Sequence, residues 1–188
     1  YDRAEIKDVL AYLRLVVNHE DDAAFERAYN HPPRGIGQKT ADTIREAAKN
    51  QQISLWQAAS QLVETGLTAR AKTSVMGFLE LIESLQEQIA EQKLEDQMIK
   101  VISQSGLQAH FEKDRSEQGQ GRLENLDELI NAASQFKSSQ QQETAPGMET
   151  EQAALDNQTA SSTGEQIDED GNTLLLNPTF DNPLSEFL

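Results

Sequence analysis

Apolar residues recur at three- and four-residue steps through most of the first 137 residues of this chain. Such spacing predicts amphipathic helices, and no useful length of the chain alternates apolar and polar residues as a half-buried strand does. We expect an all-α domain, a compact irregular bundle whose helices are joined by short turns. The predicted helices cover residues 3–17, 22–29, 38–50, 55–64, 68–92, 94–103 and 122–136, with a further short helix at Phe111.

The residues at the ends of these segments predict where the helices start and stop. Asp21 or Asp22, and Ser54, are placed to cap the helices that follow them. A side-chain oxygen at such a position accepts a hydrogen bond from a free N–H group in the first turn. Residues 118–121 read Gln-Gly-Gln-Gly, for which we expect a loop.

The net charge of the 188-residue chain is −16, and it is unevenly distributed. Residues 1–137 hold 22 acids and all 16 bases, whereas residues 138–188 hold ten acids and no base. We expect a helical domain at 1–137 and a flexible, acidic, low-complexity insertion at 138–179, which has little apolar surface to bury. Residues 180–188 are expected to start a helix that returns to the domain. Such acidity favours solubility and argues against a general nucleic-acid binder.

Cysteine is absent, which excludes disulfides and thiolate metal sites and permits a cytoplasmic location. No apolar run approaches the ~18 residues of a membrane span, and the N-terminus lacks the pattern of a signal peptide. Tyr1 falls inside a helical pattern, so we expect the chain to be a fragment of a longer protein.

The turn at residues 32–40 reads Pro-Pro-Arg-Gly-Ile-Gly-Gln-Lys-Thr and lies directly before a predicted helix. Glycine permits a positive φ and has no Cβ to hold a phosphate away. The first N–H groups of a helix lack internal acceptors, and the helix dipole is positive there. This layout favours a sequence-independent contact with a nucleic-acid phosphate, in the manner of a helix–hairpin–helix unit. The candidate binding residues are Arg34, Gly35, Ile36, Gly37, Gln38, Lys39 and Thr40.

We expect each residue of this turn to have a particular role in phosphate binding, although a purely structural role for the turn is an alternative. Ile36 should point inward and pin the turn, Arg34 and Lys39 should add charge, and Gln38 or Thr40 should add a hydrogen bond. Alternatively, the turn is only a corner between two helices. A P-loop is excluded, because that motif needs glycine directly before Lys-Thr and a strand upstream.

A similar but shorter pattern occurs at residues 66–72, where a glycine turn precedes a predicted helix whose first turns contain Thr68, Arg70 and Lys72. These three residues form a secondary candidate for phosphate contact, or else an ordinary helix start. Arg122 with its neighbours Glu124 and Asn125 predicts a cap and ion-pair cluster, or else part of an interdomain surface.

The three histidines, at positions 19, 31 and 110, are scattered in sequence. They share no metal-ligand spacing with carboxylates, so exposed or packing roles are expected. The chain offers no nucleophile–base arrangement either, and we predict neither catalytic nor metal-binding residues.

Several blocks together resemble domain 2B of bacterial UvrD/PcrA/Rep-type superfamily 1 DNA helicases, in the order of that family. The resemblance spans nearly all of residues 1–137 and resumes after the predicted insertion. The matching blocks are Tyr1–Leu15 (YDRAEIKDVLAYLRL), Asp21–Arg27 (DDAAFER), Pro32–Gly37 (PPRGIG), Leu55–Ala58 (LWQA), Ser105–Leu107 (SGL), Arg122–Leu129 (RLENLDEL) and Pro183–Leu188 (PLSEFL).

The resemblance implies an accessory domain of an ATP-dependent 3′–5′ DNA helicase that acts in repair or replication. In the family the Gly-Ile-Gly turn contacts duplex DNA ahead of the single-strand junction, and the domain swivels to tune unwinding. ATP and Mg²⁺ belong to the motor domains of the parent, and none of the ATPase motifs lies in this chain. A second hypothesis is an autoinhibitory protein-contact module that meets the motor domains or repair proteins without binding DNA.

Overall fold

The computed structural model describes residues 3–142, with side chains as far as residue 135. This part of the chain holds eight α-helices and no strand, which confirms the predicted all-α class. Most of residues 138–179 and all of 180–188 lie outside the described residues, so the expected insertion and returning helix stay predictions. The helices are α1 Ala4–Val17, α2 Asp22–Ala28, α3 Gln38–Gln51, α4 Leu55–Thr65, α5 Ala69–Ile89, α6 Leu94–Gln104, α7 Leu107–Glu112 and α8 Glu117–Gln142.

Helix α1 forms the centre of the core, because it packs against α2, α5, α6 and α8. Helix α1 consequently buries apolar side chains around more of its circumference than a single face. Tyr12 and Leu15 are fully buried along with Leu13, whereas Val17 at the end of the helix is 36% exposed. A helix surrounded on several sides buries most of its circumference, and periodicity alone underestimates that.

Side-chain caps fix the starts of α2, α4 and α5. Asp21 Oδ1 accepts from the N–H of Ala24 at 2.9 Å and Ser54 Oγ from that of Gln57 at 3.2 Å, so both predicted caps are confirmed. Thr68 Oγ1 accepts from the N–H of Ala71 at 3.5 Å, so this residue caps α5 rather than opening it.

The loop predicted at residues 118–121 is wrong, because α8 already begins at Glu117. Ser116 Oγ accepts from the N–H of Gly119 at 3.3 Å, which is the bond of a helix N-cap. Gly119 is buried against the backbone of Asp114, where a Cβ would collide. The glycine therefore lets α8 pack closely on the preceding turn instead of ending the helix.

Replacement of Gly119 by alanine is expected to lower the free energy of unfolding by about 1–3 kcal/mol, the usual penalty of overpacking. Gly121 is the matched control, since a Cβ there meets nothing within 4 Å. Gly121→Ala should raise the free energy of unfolding by up to about 1 kcal/mol through helix propensity. Urea unfolding followed by circular dichroism compares the two variants, and equal stabilities would contradict the close packing at Gly119.

Candidate nucleic-acid interface

The turn between α2 and α3 combines one glycine in a left-handed conformation with one buried apolar side chain. Gly35 has φ of +80°, a conformation that L side chains rarely adopt. Ile36 is 2% exposed and joins the core, as the sequence predicts. Gly37 has an ordinary extended backbone, with φ of −76° and ψ of 164°, and lies at the N-cap of α3.

The N-terminus of α3 has no internal acceptor for its first N–H groups. Gly37 has no side chain to cap the helix, and the first turn contains no acid. Within residues 3–142, the N–H groups of Gly37, Gln38 and Lys39 have no protein acceptor. These groups are the positive end of a 14-residue helix, a suitable place for an anion.

The side chains around the N-terminus of α3 differ in whether they already bond to other protein groups. Lys39 is exposed and forms no ion pair with any described residue. Gln38 Nε2 instead donates to Asp42 Oδ1 at 2.9 Å, one turn along the helix. Thr40 is half-buried. Of the side chains expected to contact a phosphate, Lys39 is therefore the most available.

Arg34 extends into the protein rather than over the open helix end, which differs from our expectation. Its Nη2 donates to Tyr12 Oη and to the carbonyl oxygen of Ser105, both at 2.6 Å. The guanidinium carbon lies 5.7 Å from the ring centre of Tyr12 and 5.9 Å from that of Phe78. These contacts hold the guanidinium of Arg34 against buried groups, so it is not available at the N-terminus of α3.

The fold brings the two sequence candidates together, because the start of α5 lies beside the turn. A Cβ on Gly35 would be 3.4 Å from Ser74 Oγ. Arg70 is exposed and lies one helical turn before Ser74, on the same face of α5. Neither Arg70 nor Lys72 forms an ion pair within the described part of the chain. Thr68 is already engaged by its capping bond to Ala71.

Two residues that sequence reasoning missed also shape the turn. Asn30 Oδ1 accepts from the N–H of Arg34 at 2.9 Å, and an asparagine a few residues before a glycine turn is a usable signal for such a bond. Tyr12 Oη lies 3.0 Å from the carbonyl oxygen of Ala28 and 2.8 Å from that of His31. Burial raises the pKa of Tyr12, so the phenol keeps its proton at neutral pH.

The three histidines pack against aromatic rings, in agreement with the packing role that the sequence predicts. His19 stacks on Trp56 with ring centres 4.0 Å apart, and burial lowers its pKa below the ordinary value. His31 and His110 meet edge to face at 5.3 Å. Burial also lowers the pKa of His110.

The cluster predicted around Arg122 is organised differently from our expectation. Arg122 pairs with Asp114 at 3.6 Å and lies over the ring of Phe111, while Asn125 donates to Glu5 on α1. These contacts bind α8 to α7 and α1, so Arg122 and Asn125 serve packing between helices.

No group of three or more potential metal ligands occurs among the residues that the structure describes. Over the same residues, none of the helices is both long and apolar enough to span a bilayer.

Comparison with known families decides what kind of domain carries this turn. The profile of the UvrD-like helicase C-terminal domain matches residues 1–169. The chain belongs to the UvrD-like helicase C-terminal domain family. This assignment confirms the resemblance to UvrD/PcrA-type helicases, and the matched residues include the turn, α3 and the start of α5.

Individual members of the UvrD-like family agree with this assignment. The chain is 44% identical to DNA helicase II of Escherichia coli K12 over 144 residues, which cover 76% of this chain and 20% of that protein. It is 47% identical to DNA helicase II of Haemophilus influenzae over 137 residues, 72% of this chain and 19% of that protein. Identity to the ATP-dependent DNA helicase PcrA of Bacillus subtilis is 32% over 155 residues, 82% of this chain and 21% of that protein. The chain thus spans about a fifth of the length of these relatives.

Proposed function

We propose that this chain is the 2B accessory domain of an ATP-dependent 3′–5′ DNA helicase and holds duplex DNA by its backbone. One observation carries the proposal: α3 begins with three N–H groups that have no protein acceptor, in a turn bordered by the exposed Lys39. Relatives named as DNA helicases support the choice of DNA as the ligand.

The contact follows from the geometry of the helix end. A phosphate oxygen accepts hydrogen bonds from the N–H groups of Gly37, Gln38 and Lys39, and the helix dipole favours its charge. Gly37 leaves space for this approach, because nothing lies within 4 Å of a Cβ placed there. The ammonium group of Lys39 adds a charged contact, and Thr40 lies at the edge of the site. No base edge is read, so binding does not depend on sequence.

The secondary candidate extends the same surface. Arg70 lies on the face of α5 that meets Gly35 at Ser74, so it is positioned near a second phosphate of the same duplex. Lys72, two residues further along, lies on another face of the helix. Thr68 contributes by fixing the first turn of α5 through its cap. The proposed surface therefore consists of the start of α3 and the start of α5.

The parent protein supplies what this domain lacks. ATP and Mg²⁺ are bound and used by motor domains outside this chain, and unwinding takes place at a junction of single and double strands. The domain itself grips the duplex and, through contacts with those motor domains, regulates unwinding in DNA repair or replication. A cytoplasmic location follows from this role.

Affinity in isolation should be low, because the chain carries a net charge of −16. Neutralising two or three phosphates gives a salt slope of only about −2 to −3 on logarithmic axes. The proposal is tested by titrating a fluorescently labelled duplex with the 188-residue chain across a potassium chloride series. Binding to several unrelated sequences with equal affinity is expected.

Lys39→Gln is expected to reduce the magnitude of the salt slope by about 1, since one phosphate contact by a cation is lost. Lys49→Gln is the matched control: Lys49 is exposed on the same helix, about 15 Å further along its axis. The slope for the control should equal that of the wild type. An unchanged slope for Lys39→Gln would contradict the proposed site.

The second hypothesis, a protein-contact module, makes the opposite prediction in the same titration. No duplex binding at low salt, together with binding to the separated motor domains of the parent, would favour that hypothesis over ours.

A further inference from the structure

Arg34 joins three separate parts of the fold from the inner side of the turn. Its Nη2 bonds to Tyr12 on α1 and to the carbonyl oxygen of Ser105 at the end of α6, and its guanidinium lies over Phe78 on α5. Tyr12 and Ser105 are both 0% exposed, and Phe78 is 1% exposed. The positive charge of Arg34 is therefore held among buried groups.

Tyr12 connects Arg34 to the backbone that precedes the turn. Its hydroxyl lies within hydrogen-bond distance of the carbonyl oxygens of Ala28 and His31, and its one proton can serve either of them. Asn30 Oδ1 accepts from the backbone N–H of Arg34. The segment that leads into Gly35 is thus fixed by hydrogen bonds to Tyr12 and Asn30.

We infer that Arg34 is a positioning residue for the phosphate site and that its partner in this role is Tyr12. Together they hold the turn so that the N–H groups of Gly37, Gln38 and Lys39 converge on one phosphate oxygen. Arg34 does not itself neutralise a phosphate. An outward swing would leave the Ser105 carbonyl without its donor and the phenol of Tyr12 without its charged partner, which disfavours direct contact with DNA.

The inference rests on the proposed function, and it differs from a direct role for Arg34 in what two conservative variants do. Arg34→Lys keeps the charge but removes the planar group that bonds Tyr12 and Ser105 and stacks on the rings. Tyr12→Phe removes a hydroxyl that no DNA can reach, since Tyr12 is 0% exposed.

Both variants of the 188-residue chain are titrated with the labelled duplex across the potassium chloride series. Each is expected to weaken binding about tenfold while leaving the salt slope unchanged, because the hydrogen bonds that weaken come from neutral N–H groups. The double variant should bind no more weakly than either single variant, since both remove the same arrangement. Full affinity of Tyr12→Phe, or strong binding retained by Arg34→Lys, would overturn the inference.

Amide NMR spectra of the unbound chain provide a second readout that does not depend on DNA. Tyr12→Phe should displace the resonances of residues 35–39 while leaving those of α8 in place, and undisturbed resonances at 35–39 would overturn the inference. If Arg34→Lys fails to fold, the Tyr12→Phe spectrum and titration decide. If the wild type binds no duplex, the proposed function fails, and the spectra alone decide whether Arg34 and Tyr12 position the turn.

Discussion

Replacement of Gly37 by valine is expected to weaken duplex binding about tenfold or more while the fold stays intact. The backbone of Gly37 is in an extended conformation that any residue adopts, and a Cβ there meets no neighbour within 4 Å. The added methyl groups therefore disturb the protein little. They occupy the space through which a phosphate would reach the N–H groups of α3. Loss of one charge-assisted hydrogen bond, about 1.5–3 kcal/mol, accounts for a tenfold effect or more.

The titration of labelled duplex checks this expectation, with thermal unfolding by circular dichroism as the test of the fold. Gly37→Ala should have an intermediate effect, because one methyl group fills less of the approach. Gly121→Val, on an open position of α8, is the control for a branched residue at a former glycine. Wild-type affinity of Gly37→Val would mean that no phosphate approaches this face.

Replacement of Gly35 by valine should destabilise the fold itself, unlike replacement of Gly37. We expect the free energy of unfolding to fall by about 1–2 kcal/mol or more, because valine is strained in the left-handed conformation. Gly35 has φ of +80°, and a β-branched residue is a severe outlier in that region. Its Cβ would meet Ser74 Oγ at 3.4 Å, an ordinary contact, so the loss comes from the backbone conformation. Because Ile36 is anchored in the core, the turn cannot relax without exposing apolar surface.

Urea unfolding measures this loss, and Gly35→Asn is the matched control since asparagine tolerates the left-handed region. The asparagine variant should retain most of the stability that valine removes. If valine and asparagine were equally stable, the conformation of Gly35 would not be a constraint on the fold. The contrast between positions 35 and 37 separates the glycine that shapes the turn from the glycine that leaves space for the ligand.

The sequence predicts the helices well because local signals specify them. Caps such as Asp21 and Ser54 act on N–H groups three residues ahead, so the information lies within one helical turn. The pattern of glycines at residues 118–121 predicts a break, whereas Ser116 caps a helix that runs through both glycines. Glycine is required at position 119 by its close approach to Asp114, a contact that the pattern does not show.

The candidate site is only partly predictable from sequence, since its side chains depend on distant partners. Ile36 and the uncapped start of α3 follow from the local pattern of residues. The direction of Arg34 does not, because its acceptor at Ser105 lies 71 residues further along the chain. The neighbourhood of Gly35 and Ser74 likewise depends on how α5 packs against the turn. Such contacts are set by the three-dimensional arrangement of helices, which periodicity does not specify.

The proposed binding of a duplex phosphate by the first N–H groups of α3 is tested most directly by amide NMR during a duplex titration. We expect the largest shifts at Gly37, Gln38 and Lys39, with smaller ones at the start of α5. Shifts confined to other helices, with these three resonances unmoved at saturating duplex, would contradict the proposal.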